Sequence, residues 1–95
     1  MTQAWARGVG LVGAGAVGSA LARAVHAAGY PVAAIASRSR TSASSLAREL
    51  PGCQVAETPQ QVADRCALVF LTTPDSTIQQ VVEAIRWRRS QDVVH

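Results

Sequence analysis

Apolar runs of strand length alternate with stretches of helical periodicity along the chain. Val9-Gly10-Leu11-Val12 is apolar without interruption. From Val17 the spacing changes, with Val17, Leu21 and Val25 on one helical face and Ala20, Ala24 and Ala28 beside it. Gly29 stands where a helix C-cap belongs, and Pro31 stops the helix from continuing. Val32 to Ala36 predicts a second strand, and Thr41 to Leu50 a second helix with Ala43, Leu46, Ala47 and Leu50 inward. Pro51-Gly52 ends that helix, and Cys53 to Glu57 predicts a short third strand at the sheet edge. Thr58 as cap and Pro59 as first helical residue open a third helix, with Val62, Ala63 and Cys66 inward. Ala67 to Thr72 is the fourth strand, and its unbroken Leu68-Val69-Phe70-Leu71 marks a strand covered on both faces. Ile78, Val81, Val82 and Ile85 repeat with a helical period, Arg86, Arg88 and Arg89 close that helix, and Val93-Val94-His95 begins a fifth strand. Strict alternation of this kind predicts a three-layer α/β fold: a doubly wound parallel sheet of about five strands in the order 3-2-1-4-5.

The transition from the first strand to the first helix carries the most chemistry. Gly13-Ala14-Gly15-Ala16-Val17-Gly18 has the spacing G-x-G-x-x-G between a strand and a helix, the setting in which it signals dinucleotide binding. Gly13 can make the tight turn, Gly15 can let a pyrophosphate approach the backbone, and Gly18 can let the helix pack closely on the sheet. The free N–H groups at that helix start would meet the phosphates.

Two further turns lie at strand ends on the same side. NAD-selective folds place a carboxylate about 20 residues past the glycines, against the ribose 2′-OH. Here that place holds Ser37-Arg38-Ser39-Arg40. Guanidinium and hydroxyl groups suit a 2′-phosphate, so NADP(H) is expected in preference to NAD(H), with NAD(H) still admissible. Thr72-Thr73-Pro74, at the end of the fourth strand, is expected near the nicotinamide ribose. Asp75 or Ser76 reads as the cap of the following helix. His95 stands at a strand end and His26 on the first helix as a surface or packing residue, but no nucleophile–base set is visible and no catalytic residue is assigned.

Composition narrows the classes. Ninety-five residues allow one domain, 1–95, and a complete dinucleotide fold needs more chain, so the sequence reads as the front part of a longer protein. With 48% hydrophobic residues and 4% aromatics, the core must be built from Ala, Val, Leu and Ile. The net charge is +3, and all nine basic residues are arginine. Arg86-Trp87-Arg88-Arg89 could bind nucleic acid, but a charged helix end with Trp87 folded inward is the plainer reading, and no nucleic-acid partner is expected. Cys53 and Cys66 lack metal-ligand spacing, so no metal is expected and both read as small thiols in a reducing compartment. Glycines and Arg23 interrupt any signal-peptide pattern, and no run spans a bilayer. A soluble cytoplasmic protein without a membrane partner is expected.

GLVGAGAVGSALARAVHAAGY, VAAIASRS, LVFLTTPDSTI and VVH together resemble the N-terminal domain of Rossmann-like NAD(P)-dependent oxidoreductases that carry a C-terminal helical domain of unknown function. These are distant relatives of pyrroline-5-carboxylate reductase, the β-hydroxyacid dehydrogenases and the F420-dependent NADP reductases. The resemblance covers Gly8 to His95. It implies a pyrophosphate at Gly13 to Gly18, an adenosine phosphate near Ser37 to Arg40, and the nicotinamide side near Thr72 to Pro74. It further implies a small-molecule substrate, a carbonyl, imine or hydroxy compound reduced or oxidised by hydride transfer, and a homodimer built through the missing C-terminal domain. A catalytic lysine found in related dehydrogenases has no counterpart in this Lys-free chain, and the fragment alone is expected to be inactive. The alternative is a non-catalytic module that senses NAD(P); a downstream domain with titratable groups facing the nicotinamide would discriminate the two.

Overall fold

The computed structural model describes residues 8–73, 75–87 and 91–94, without the side chains of 75–77. The elements alternate: β1 (Val9–Val12), α1 (Ala16–Ala27), β2 (Val32–Ala36), α2 (Arg40–Arg48), β3 (Gln54–Val55), α3 (Pro59–Arg65), β4 (Leu68–Leu71), α4 (Asp75–Ala84) and β5 (Asp92–Val94). The strands form one five-stranded sheet in the order β3-β2-β1-β4-β5, every pair parallel. Parallel neighbours require crossovers, and each predicted helix supplies one. The unbroken apolar runs are explained by the register: Leu11 lies between Ile35 and Phe70, and Val12 between Ala36 and Leu71. The order reverses between β1 and β4, where the first half of the chain winds one way and the second half the other.

Two apolar layers flank the sheet. Val9, Leu11, Ile35, Leu68 and Phe70 pack with Val25 of α1 and Ala43 and Leu46 of α2. Val12, Ala34, Val69 and Leu71 pack with Val62 of α3, with Cys66 beyond it, and with Ile78, Val81 and Val82 of α4. The core is aliphatic as the composition demands, with Phe70 its one buried aromatic among the described residues.

Three expectations need correction. The buried stripe of α1 is Gly18, Ala22 and Val25, not Val17 with Ala20, Ala24 and Ala28. Val17 is 72% exposed. Close approach decides the phase: the helix comes nearest the sheet at Gly18, and small residues at i, i+4 and i+7 keep it there. Second, α2 begins at Arg40, because Ser39 is its N-cap and accepts from Ser42 N at 3.2 Å. Third, α4 ends at Ala84 with no basic residue in its last turn. Arg86 lies beyond it, held instead by Gln60, whose Oε1 accepts from Arg86 N (2.8 Å) and whose Nε2 donates to Arg86 O (3.2 Å). Trp87 does fold against the domain, its Nε1 donating to Val82 O at 3.1 Å. Arg88, Arg89 and His95 lie outside the described residues.

Other boundaries follow their local chemistry. At the end of α1, Tyr30 N donates to Val25 O and Gly29 N to His26 O, with Gly29 at φ +93°. These bonds make a Schellman motif, which needs a left-handed residue at Gly29. Thr58 caps α3 by accepting from Gln61 N at 3.2 Å, with Pro59 in the first turn. His26 is exposed, a surface rather than a packing residue.

Candidate functional site at the carboxyl edge of the sheet

The glycine turn is tied to both strands beside it. Gly13 N donates to Ala36 O at 2.7 Å, and Thr72 N donates to Val12 O at 2.9 Å. Thr72 Oγ1 donates to Gly13 O at 2.9 Å. Gly13 has φ +108°, and a Cβ there would stand 2.8 Å from Thr72 Oγ1. A Cβ on Gly18 would run into Gly13 O and stand 2.6 Å from Thr72 Oγ1. Both glycines are therefore demanded by the fold itself.

Gly15 is different. Its backbone is ordinary (φ −76°, ψ −166°), and no atom of the described residues lies within 4 Å of where its Cβ would stand. Neither conformation nor packing within the domain requires a glycine here; the missing side chain opens space outward. Gly15 is also the N-cap of α1, no side chain caps that helix, and no acidic residue stands in its first turn. The first-turn N–H groups keep their capacity to donate to an anion, and the helix dipole adds to the attraction. Ala14 is buried and offers only backbone, its O accepting from Ser19 Oγ at 3.2 Å, whereas Ala16 and Val17 are exposed beside the opening.

A cleft of about 220 Å³ runs from this turn to the end of β2, lined by Val12, Gly13, Ala36, Ser37, Arg38, Glu57, Pro59, Thr73 and Val81. It brings together three of the predicted turns. Within the second of them, Ser37 Oγ accepts from Ser39 N (3.2 Å) and Ser39 Oγ from Ser42 N (3.2 Å). Each hydroxyl thus uses a lone pair on the backbone and keeps its proton to donate. Arg38 and Arg40 are exposed. A second hollow of about 360 Å³ is lined by Val17, Leu21, Phe70, Thr72, Thr73, Ile78 and Val94 among others. Thr73 borders both hollows, and its Oγ1 is buried with no hydrogen-bond partner among the described residues. A buried hydroxyl without a partner at the junction of two clefts fits a ligand that supplies one. Pro74, predicted beside it, lies outside the described residues, and the capping roles read for Asp75 and Ser76 rest on side chains that do too.

The family model of the Rossmann-like domain matches residues 2–95. This chain belongs to that family. Among solved structures, the domain is similar to an imine reductase from Pseudomonas sp., with 28% identity and a TM-score of 0.70 over 84% of this chain and 27% of the other. UDP-N-acetylglucosamine 3-dehydrogenase from Acidithiobacillus ferrooxidans matches with 26% identity and a TM-score of 0.72, over 80% of this chain and 25% of that one. 1-Pyrroline-5-carboxylate reductase from Streptococcus pyogenes shares the fold, with 19% identity and a TM-score of 0.71 over 90% of this chain and 31% of that one. The domain spans about a quarter to a third of the length of these proteins. No curated protein sequence matches it.

The structure adds residues to the site that sequence reasoning missed. Glu57, Pro59 and Val81 line the first cleft of the Rossmann-like domain. Glu57 and Pro59 follow β3 directly, so the rule that ligands bind beyond the carboxyl ends of strands was the signal that would have found them. The cysteines stand apart from both clefts: Cys66 is buried, and Cys53 is half-buried with its thiol pushed up to about 11 by burial and then by the nearby Cys66. A thiol held that high is protonated at neutral pH and is a poor nucleophile. Among the described residues no cluster of His, Cys, Asp and Glu could hold a metal, and no helix is long and apolar enough to cross a membrane.

Proposed function

We propose that this chain is the NADP(H)-binding domain of an oxidoreductase. The observation that carries the reading is Gly15: a glycine that the fold does not need, opening onto the uncapped start of α1. In this reading Gly13, Gly15 and the first-turn amides of α1 receive the pyrophosphate. Ser37, Arg38, Ser39 and Arg40 receive the adenosine 2′-phosphate, their hydroxyl protons and guanidinium groups all being donors. Thr73 Oγ1 orients the ribose on the nicotinamide side, and the apolar hollow beside Val17 and Ile78 excludes water from it. When bound, the nicotinamide supplies the hydride. The substrate class, a small carbonyl, imine or hydroxy compound, accords with neighbours that include an imine reductase and a sugar-nucleotide dehydrogenase. It belongs to the whole protein, together with the acid–base groups that a further domain would bring.

The test is a fluorescence titration of NADPH and NADH against the wild-type chain and Gly15→Asp. The expected result is NADPH binding that Gly15→Asp abolishes while its circular dichroism spectrum stays unchanged. Equal binding by both proteins would overturn the assignment of the pyrophosphate to this turn.

A further inference from the structure

Glu57 occupies a place that a phosphate site would not be expected to give to a carboxylate. It lines the first cleft with Arg38, and a neighbouring hollow with Ser37, Arg38 and Arg40. Its backbone is fixed by a variant capping box at the start of α3: Thr58 Oγ1 accepts from Gln61 N, and Gln61 Oε1 accepts from Glu57 N at 2.8 Å. From this fixed base, Glu57 Oε1 reaches Arg40 Nη2 at 3.7 Å. Among the described residues Arg38 makes no such ion pair. The two arginines of the turn are thus not equivalent: one is free, and the other faces a carboxylate from across the cleft.

We infer that Glu57 sets the discrimination between NADPH and NADH by holding Arg40 away from the 2′-phosphate. The inference rests on the cofactor reading above and deepens it. A 2′-phosphate entering this corner meets Arg38 directly but must compete with Glu57 for Arg40, and it also feels the repulsion of that carboxylate. NADH brings only a hydroxyl to the same corner, which neither repels Glu57 nor needs Arg40. Glu57 therefore weakens NADPH binding selectively and keeps the preference for NADPH modest. Both partners of the ion pair are largely exposed, at 75% and 69%, so the latch is weak enough for a dianion to open.

A double-mutant cycle tests this. Dissociation constants for NADPH and NADH are measured on wild type, Glu57→Gln, Arg40→Ala and the double variant, with thermal melts confirming that each is folded. Glu57→Gln is expected to tighten NADPH about two- to fivefold and to leave NADH within about twofold. The NADPH gain is expected to be smaller when Arg40 is alanine in both proteins, because the freed guanidinium produces part of it and the lost repulsion the rest. If both cofactors bind but Glu57→Gln leaves NADPH unchanged or weaker, or its gain survives intact without Arg40, the latch is wrong while the cofactor reading stands. If neither cofactor binds any of the four folded proteins, the cofactor reading fails and takes the latch with it.

Discussion

Four glycines between the middle of β1 and the first turn of α1 look alike in the sequence and have four different physical reasons. Gly10 sits in the strand because a Cβ would strike Val62 Cγ1 and stand 2.8 Å from Cys66 Sγ. Gly13 needs its positive φ, and Gly18 its closeness to the Gly13 carbonyl. Of these four, only Gly15 faces open space among the described residues. These differences predict unequal outcomes for one substitution. Gly18→Ala should destabilise the domain by about 1–3 kcal/mol, because the obstacle is backbone and cannot swing aside. Gly15→Ala should cost no more than about 1 kcal/mol, the difference between two side chains at an N-cap. Urea melts of the two variants check this, and comparable losses in both would mean that Gly15 has a structural role the contacts do not show. The turn at Gly13 and the close packing at Gly18 were legible in the sequence because they depend on a local strand–turn–helix geometry. Gly10 and Glu57 were not: each is explained by a partner brought in by the fold, Val62 and Cys66 in one case and Arg40 in the other.

At the level of elements, existence and order were legible and rotational phase was not. α1 is so rich in alanine that two of its stripes are apolar, and hydrophobic spacing cannot choose between Val17-Leu21 and Gly18-Ala22. Proximity of Gly18 to the Gly13 carbonyl chooses. The same phase leaves Arg23 exposed next to the end of α2, where its Nε and Nη2 donate to the two carboxylate oxygens of Glu49 at 3.0 and 2.9 Å. These hydrogen bonds lower the Glu49 carboxyl below its ordinary value of 4.5, and they raise Arg23. A group whose folded pKa is depressed lends stability above its unfolded pKa and loses it as pH falls through the folded value. The pair joins two helices that both pack on the same face of the sheet. Glu49→Gln should therefore melt slightly below wild type at neutral pH, with the gap closing as the pH is lowered below 4.5. A gap that stayed constant down the titration would show that the carboxylate charge contributes nothing. Added salt should shrink the neutral-pH gap, since the pair is open to solvent.

Over the whole molecule, the fold gathers at one sheet edge turns that are far apart in the chain: Gly13, Ser37 and Arg38, Glu57, and Thr73. The alternation of strands and helices was enough to foresee this for the ends of β1, β2 and β4, because parallel strands point their carboxyl ends the same way. The contribution that follows β3 was missed because the predicted strand ran on to Glu57, whereas the strand ends at Val55 and leaves Glu57 beyond it. A site assembled from four separated segments has a thermodynamic consequence that a local site lacks: its ligand bridges parts of the chain that separate on unfolding, so binding is linked to the global transition. With NADPH at about 100 times its dissociation constant, linkage adds about 2.7 kcal/mol to the folded state. For a domain of this size that corresponds to a rise of about 10–20 °C in melting temperature. Gly15→Asp, with an unliganded melting temperature close to wild type, should show no rise at the same nucleotide concentration. Differential scanning fluorimetry over a nucleotide series gives the shift directly. A wild-type curve that did not move at saturating NADPH would mean that the open glycine and the uncapped helix start hold no dinucleotide, however well their shape suits one.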